Sequence, residues 1–185
     1  HIPNRRNKIE SIASYQPLSR SYFKMVEIIK DFDLINTNNE YFRSSHLAEG
    51  PGGFMEAVYN LSHNNNFLES LHFGITLYSK NKEIPGWNKA YTFLNSREDI
   101  RISYGADNTG NLYNPDNIKY FGQLNGYGTC DLVTADGGFD WKNENYQEQE
   151  AYKLIIGEII GALNVQKKGG NFVLKIFETF TLVTL

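Results

Sequence analysis

Apolar positions fall into short runs separated by glycine- and asparagine-rich breaks, and the runs alternate between helical and strand-like spacing. After a polar, irregular stretch over residues 1–18, the segment Tyr22-Phe23-Lys24-Met25-Val26-Glu27-Ile28-Ile29-Lys30 is apolar at helical intervals, with Ser19 or Ser21 as its N-cap. Residues 45–49 predict a first strand, 53–62 a helix, 71–77 a second strand and 100–103 a short third. A loop containing Pro85-Gly86 separates the last two. A long loop over 105–115 leads to a helix that Pro115 opens and that runs to about Leu124. Cys130-Asp131-Leu132-Val133-Thr134-Ala135 reads as a buried strand that ends at Asp136-Gly137-Gly138. The longest helix covers 147–166, with Leu154, Ile155, Ile159, Ala162 and Leu163 as its apolar positions. Gly169-Gly170 then breaks the chain, and Asn171-Phe172-Val173-Leu174-Lys175-Ile176-Phe177 reads as a further central strand.

Strands alternating with helices predict an α/β fold, a Rossmann-like doubly wound sheet, mostly parallel, with helices on both faces. The 185 residues suit one domain over 19–185 preceded by the polar segment 1–18. The chain starts without Met and stops inside an apolar run, so the domain is expected to be C-terminally incomplete. A net charge of −3 argues against a broad electrostatic grip on nucleic acid. It leaves room for a local basic groove, for which Arg5, Arg6 and Lys8, then Arg20, Lys24 and Lys30, then Lys80, Lys82 and Lys89 are candidates. Aromatic residues make up 14% of the chain; most serve the core, with Trp87, Tyr91 and Trp141 as candidates to stack on a base. The single cysteine, Cys130, rules out an internal disulfide and points to a buried thiol in a reducing compartment, cytoplasmic or nuclear. No Cys/His spacing suggests a metal site, and no run suggests a membrane span or signal peptide.

The chemistry concentrates in three places. The run Leu47-Ala48-Glu49-Gly50-Pro51-Gly52-Gly53-Phe54 is a strand, a glycine turn and a helix start, which brings backbone N–H groups towards a ligand at the strand end. The dinucleotide pattern G-x-G-x-x-G is not met, because Met55 stands at its third glycine. With acidic Glu49 before the turn, S-adenosylmethionine suits the site better than a dinucleotide. Asp136 closes one strand and Lys175 interrupts the apolar run of another. A lysine in such a run needs a partner or a task, and an Asp–Lys pair at strand ends could do general-base work. Lys24 lies on the helix before the glycine turn.

Several segments in one order carry a resemblance: Ser19-Arg20-Ser21-Tyr22-Phe23-Lys24, the glycine turn, Tyr104-Gly105-Ala106-Asp107-Asn108-Thr109-Gly110-Asn111-Leu112, Asp131-Leu132-Val133-Thr134-Ala135-Asp136-Gly137-Gly138-Phe139-Asp140, Gln147-Glu148-Gln149-Glu150, and Gly169-Gly170-Asn171-Phe172-Val173-Leu174-Lys175-Ile176-Phe177. The chain resembles the FtsJ-like (RrmJ-like) S-adenosylmethionine-dependent ribose 2′-O-methyltransferases, most of all the Adrift-type group that includes the mRNA cap 2′-O-methyltransferases. Large cytoplasmic DNA viruses carry similar domains, and the Asn- and Tyr-rich composition suits one.

The resemblance implies the methyltransferase fold, S-adenosylmethionine as cofactor, and RNA as substrate, with the ribose 2′-hydroxyl of cap-proximal mRNA nucleotides as the acceptor. Three members of the family's Lys-Asp-Lys-Glu catalytic set fall on Lys24, Asp136 and Lys175. Lys175 would accept the hydroxyl proton while Asp136 and Lys24 orient it. The fourth, a Glu on a later strand, has no counterpart before the chain ends at Leu185. Glu49, Gly50, Gly52 and Gly53, with Phe54 beside them, would bind the methionine end of the cofactor. Asp107, Asn111 and Leu112 would reach the adenosine, with Asn111 where related sequences often have an acid. Residues near Thr76 and Leu77 would pass close to the ribose. The alternative is a catalytically impaired domain of this fold that binds S-adenosylmethionine, RNA or a protein partner, favoured by the negative charge and the absent fourth residue. A base N-methyltransferase would want an Asn/Asp-Pro-Pro-aromatic strand end where this chain has Ala135-Asp136-Gly137-Gly138.

Overall fold

The computed structural model describes residues 16–81, 84, 86–138 and 147–176, with backbone alone at 147–150. Arg5, Arg6, Lys8, Lys82, Pro85, Phe139, Asp140, Trp141 and Phe177, together with the side chains of Gln147-Glu148-Gln149-Glu150, lie outside the described residues.

Helix α1 (Ser21–Phe32) precedes strand β1 (Tyr41–Leu47), helix α2 (Gly53–His63) and strand β2 (Glu69–Ile75). A 3-10 turn at Trp87–Ala90 runs into the short helix α3 (Tyr91–Asn95), followed by β3 (Ile100–Ser103) and α4 (Pro115–Asn125). Strand β4 (Cys130–Ala135), helix α5 (Gln147–Val165) and strand β5 (Gln166–Leu174) complete the described chain. All pairings are parallel and the order is β3-β2-β1-β4-β5. The winding reverses between β1 and β4, where Leu47 stands opposite Ala135. A crevice opens past the carboxyl ends of such a strand pair, and ligands of doubly wound sheets bind there.

Alternation along β1 assigns the two faces. Phe42 joins Met25, Ile29, Phe54, Ala57, Val58 and Leu132 in a core under α1 and α2. Leu47 joins Ile75, Val133, Ala135, Ile118, Phe121, Ala162 and Val165 in a core under α4 and α5. A third cluster, with Met55, Tyr59, Trp87, Phe93 and Ile100, closes the β3 end. Trp87 is therefore core, whereas Tyr91 is exposed.

Five expectations change. β1 starts at Tyr41, well before residue 45, because Ser44, Ser45 and His46 are buried polar residues that hide the strand's apolar signature. Hydrogen bonds offset the burial of two of them: the Ser44 hydroxyl meets His46 Nε2 at 2.8 Å and His72 Nδ1 at 2.7 Å, and His46 Nδ1 meets Thr134 Oγ1 at 2.7 Å, whereas the Ser45 hydroxyl has no partner among the described residues. β2 runs two residues earlier than expected, ending at Ile75. Neither serine caps α1: the Ser19 and Ser21 hydroxyls bond each other at 2.6 Å, and the N-cap is Arg20. Gly169-Gly170 does not break the chain. Cys130 pairs with Gln166 and Leu132 with Asn171, so residues 167–170 bulge opposite Asp131 inside a strand that begins directly after α5. Among the described strands β5 lies at the sheet edge, not its centre, and Phe172, Val173 and Leu174 are half-buried.

Candidate active site

The glycine turn is built around a carboxyl group. Glu49 is 1% exposed, and its Oε1 accepts from the N–H of Phe54 at 2.7 Å and of Met55 at 3.1 Å. Those are first-turn amides of α2, whose N-cap Gly52 offers no side chain. The positive end of the helix is thus satisfied by the protein itself, not left for a ligand. Glu49 Oε2 is buried without a hydrogen-bond partner among the described residues. Burial pushes the Glu49 carboxyl well above its ordinary range, with the Asp136 charge adding to it and the two amides and Lys175 opposing. The Gly50 N–H donates to Thr76 Oγ1 at 3.0 Å, which ties the turn to the exit of β2.

A second wall comes from the loop between β3 and α4. Buried Asn117 organises it: its Oδ1 accepts from Asp107 N at 3.1 Å, and its Nδ2 donates to Thr109 Oγ1 at 3.2 Å and the Asn111 carbonyl at 3.0 Å. Asp107 is solvent-exposed and accepts from the Thr109 hydroxyl and N–H and from Asn114 Nδ2. Those bonds, the Thr109 hydroxyl first, hold its carboxyl well below the ordinary range. Asn111 Oδ1 accepts from Tyr113 N at 2.9 Å. The loop meets β2's exit where Tyr78 N donates to the Thr109 carbonyl at 2.7 Å.

The third wall holds the charges. Lys175 Nζ lies 3.1 Å from Asp136 Oδ1, with side chains 28% and 17% exposed respectively. The same ammonium donates to the Asp136 backbone carbonyl at 3.3 Å. Lys175 N donates to the Ala135 carbonyl at 2.9 Å, which carries the β4–β5 ladder to the pair. The ion pair expected from the strand ends is therefore formed.

Between these walls lies a cavity of about 530 Å³, lined by Ala48, Gly50, Thr76, Leu77, Asn111, Leu112, Asp136 and Lys175 among others. Of the residues assigned to the cofactor from sequence, Gly50, Asn111 and Leu112 stand on this lining. Glu49 lies buried behind the turn, Phe54 lies in the α1–α2 core, and Asp107 braces its loop from the outside. Gly52 faces Trp87 and Leu18, and Gly53 faces Ser19 and Ser21. Lys24 is exposed on α1 and is not part of the lining. Leu77 and Thr76 line the cavity as expected of the β2 exit.

Sequence reasoning missed Glu158. It sits on α5 at 1% exposure, with Oε1 accepting from Gly137 N at 3.0 Å. Burial pushes its carboxyl up to about 8, against the Gly137 amide and Lys175, with Asp136 adding to the rise. Its signal was available: it is the only charge in Leu154-Ile155-Ile156-Gly157-Glu158-Ile159-Ile160-Gly161-Ala162-Leu163.

The site suits a ligand with a nucleoside at one end and charge at the other. Leu77, Ile84, Leu112 and Leu154 offer apolar surface for a flat ring, and Asn81, Asn111 and Thr76 offer polar groups. S-adenosylmethionine fits that donor set. Among the described residues no cluster could hold a metal ion, and no helix is long and apolar enough to cross a membrane.

The model of one protein family, FtsJ-like methyltransferase, matches residues 17–184. A cap-specific mRNA (nucleoside-2′-O-)-methyltransferase 1 of Trypanosoma brucei brucei is 35% identical over 75% of this chain and 36% of its own length. A relative of the same name from Leishmania braziliensis is 31% identical over 76% of this chain and 34% of its own. An inactive cap-specific mRNA (nucleoside-2′-O-)-methyltransferase 1B of Caenorhabditis briggsae is 30% identical over 96% of this chain and 24% of its own. The chain spans just over a third of the length of two of these relatives and about a quarter of the third.

Proposed function

We propose a function from one premise: this chain belongs to the FtsJ-like methyltransferase family. Its domain, over residues 19–185 and preceded by the polar segment 1–18, transfers a methyl group to the ribose 2′-hydroxyl of RNA, at cap-proximal nucleotides of mRNA. The observation that carries this reading is the Asp136–Lys175 pair on the wall of a nucleoside-sized cavity at the switch point of the sheet. The names of the relatives supply the acceptor.

S-adenosylmethionine, when bound, supplies a methyl group on a sulfonium, open to attack by an oxygen nucleophile. Gly50, Thr76, Leu77, Asn111 and Leu112 would hold it from the lining they share. Lys175, once its ammonium has released a proton to solvent, takes the 2′-hydroxyl proton onto neutral Nζ as general base, while O2′ would bond the methyl carbon and the carbon–sulfur bond would break. Asp136 fixes Nζ through its carboxylate and its backbone carbonyl, so the base is aimed before the substrate arrives. Positioning of the hydroxyl is the larger part of the work, because oriented groups react as if at very high concentration. Lys24, exposed on α1 and off the cavity lining, would assist that orientation from outside the cavity, a role that the family resemblance supplies. The buried thiol of Cys130, raised to about 12 by burial, suits a reducing, cytoplasmic setting.

One observation favours a second reading, a domain that binds without catalysing: a relative 30% identical to this chain carries the word inactive in its name. Calorimetric titration of S-adenosylmethionine and a methyl-transfer assay on capped RNA separate the two. The enzyme reading expects binding in both wild type and Lys175→Ala, and transfer reduced at least ~100-fold in the variant. Binding without transfer by wild type would favour the second reading.

A further inference from the structure

The Asp136–Lys175 pair has support that the proposed reaction does not use. Gly137 follows Asp136 directly, and its N–H is held at 3.0 Å by Glu158 Oε1 from α5. A Cβ on Gly137 would overlap that oxygen and come within 2.8 Å of Leu154 Cδ2, so the carboxyl approaches this backbone only because glycine is there. A buried carboxyl meeting a single backbone amide is costly, and nothing in helix packing requires an acid at this place. The groups that face it are Asp136 at the end of β4, Lys175 at the end of β5 and the Tyr113 phenol before α4. Lys175 therefore has Asp136 in direct contact and a second carboxyl, Glu158, near enough to feel its charge.

We infer that Glu158 is a positioning residue: as a neutral carboxyl it holds the Gly137 amide, and through it the Asp136 carboxylate that aims Lys175. The inference rests on the transferase reading of that pair. Neutrality matters because a second carboxylate would compete with Asp136 for the Lys175 ammonium and pull it off line. Burial supports the neutral form at physiological pH, where a carboxyl titrating at about 8 is mostly protonated. Glutamine should therefore replace it in function, and alanine should not.

The test compares Glu158→Gln, Glu158→Ala and wild type in the full chain. Backbone amide exchange at Gly137 is read by NMR, and kcat and KM are read on S-adenosylmethionine and capped RNA across pH. In Glu158→Gln, Gly137 protection and kcat should stay within ~3-fold of wild type. In Glu158→Ala, protection should fall at least ~10-fold and kcat ~10- to 100-fold, with KM for S-adenosylmethionine within ~3-fold. The kcat ratio of Glu158→Gln to wild type should rise above pH 8, where only wild type gains the second charge. Unchanged Gly137 protection in Glu158→Ala overturns the inference, whatever the activity. A Gln variant as impaired as Ala also overturns it. If Glu158→Ala does not fold, a pH-independent Gln ratio overturns it. Loss of Gly137 protection in Glu158→Ala, in a protein whose wild type shows no methyl transfer, supports the positioning contact and counts against the transferase reading alone.

Discussion

Gly110 stands at φ +65, and a Cβ there would overlap the Thr76 carbonyl oxygen. Its N–H donates to the Tyr104 carbonyl at 2.6 Å, so the loop cannot back away without losing that bond. Alanine must accept a left-handed backbone at a cost of roughly 1–2 kcal/mol and displace the loop from β2 as well. Both displaced parts, Thr76 and residues 110–112, line the cavity. Gly110→Ala should therefore lower the melting temperature and weaken S-adenosylmethionine at least ~10-fold. Unchanged affinity by calorimetry would remove the loop from the cofactor site. At this scale the sequence was informative wherever a residue broke its local pattern. Lys175 in an apolar strand and Asp136 before two glycines were legible, and the two meet at 3.1 Å. Glu158 broke the pattern of α5 in the same way and went unread, because an isolated acid on a helix looks like a solvated one. Asp107 is a cofactor candidate only through the resemblance, and its bonds to Thr109 and Asn114 give it a part in the loop's frame that the sequence does not show.

Helix α2 takes its first-turn satisfaction from Glu49, a residue outside the helix. Removing that acceptor leaves two amides short of a partner in a buried setting, worth about 2–3 kcal/mol together. Glu49→Ala should lose about that much in urea denaturation, and Glu49→Gln, which keeps an acceptor, under about 1 kcal/mol. An Ala variant as stable as wild type would contradict the cap. Elements were legible where burial and apolarity coincide: β3 and β4 run Ile100–Ser103 and Cys130–Ala135, as their pattern predicts. Pro115 likewise opens α4 as expected, and the structure adds Asn114 as its N-cap, accepting from Asp116 N at 3.0 Å. The pattern places the start of β1 too late because Ser44 and His46 are offset by hydrogen bonds to His72 and Thr134 on neighbouring strands, which no local window contains. The β5 bulge was read as a break because glycine pairs signal turns and bulges alike.

The whole molecule carries buried titratable groups of opposite sense. Burial holds His46 well below its ordinary 6.5 and lowers His72 to about 3. As pH falls below 6.5 the unfolded chain gains protons that the fold refuses, so stability falls by about 1.4 kcal/mol per unit for each histidine until its folded value is reached. Glu49 and Glu158 run the other way: the unfolded carboxyls lose protons near 4.5, while the fold keeps that of Glu158 to about 8. Stability therefore falls as pH rises above 4.5 on their account. The opposed slopes, with Glu56 adding to the carboxyl side, offset one another between 4.5 and 6.5, so melting temperature should vary least there and decline on both sides. A steady rise from pH 6.5 to 8 would contradict it. The central claim is that the Asp136–Lys175 pair directs a methyl group to a ribose oxygen. Its most direct measurement is the position of the label after the full chain is incubated with methyl-labelled S-adenosylmethionine and capped RNA, digested to nucleosides and analysed by mass spectrometry. The account predicts label on O2′ of a cap-proximal ribose and none with Lys175→Ala; label on a base, no label, or equal labelling by the variant would contradict it.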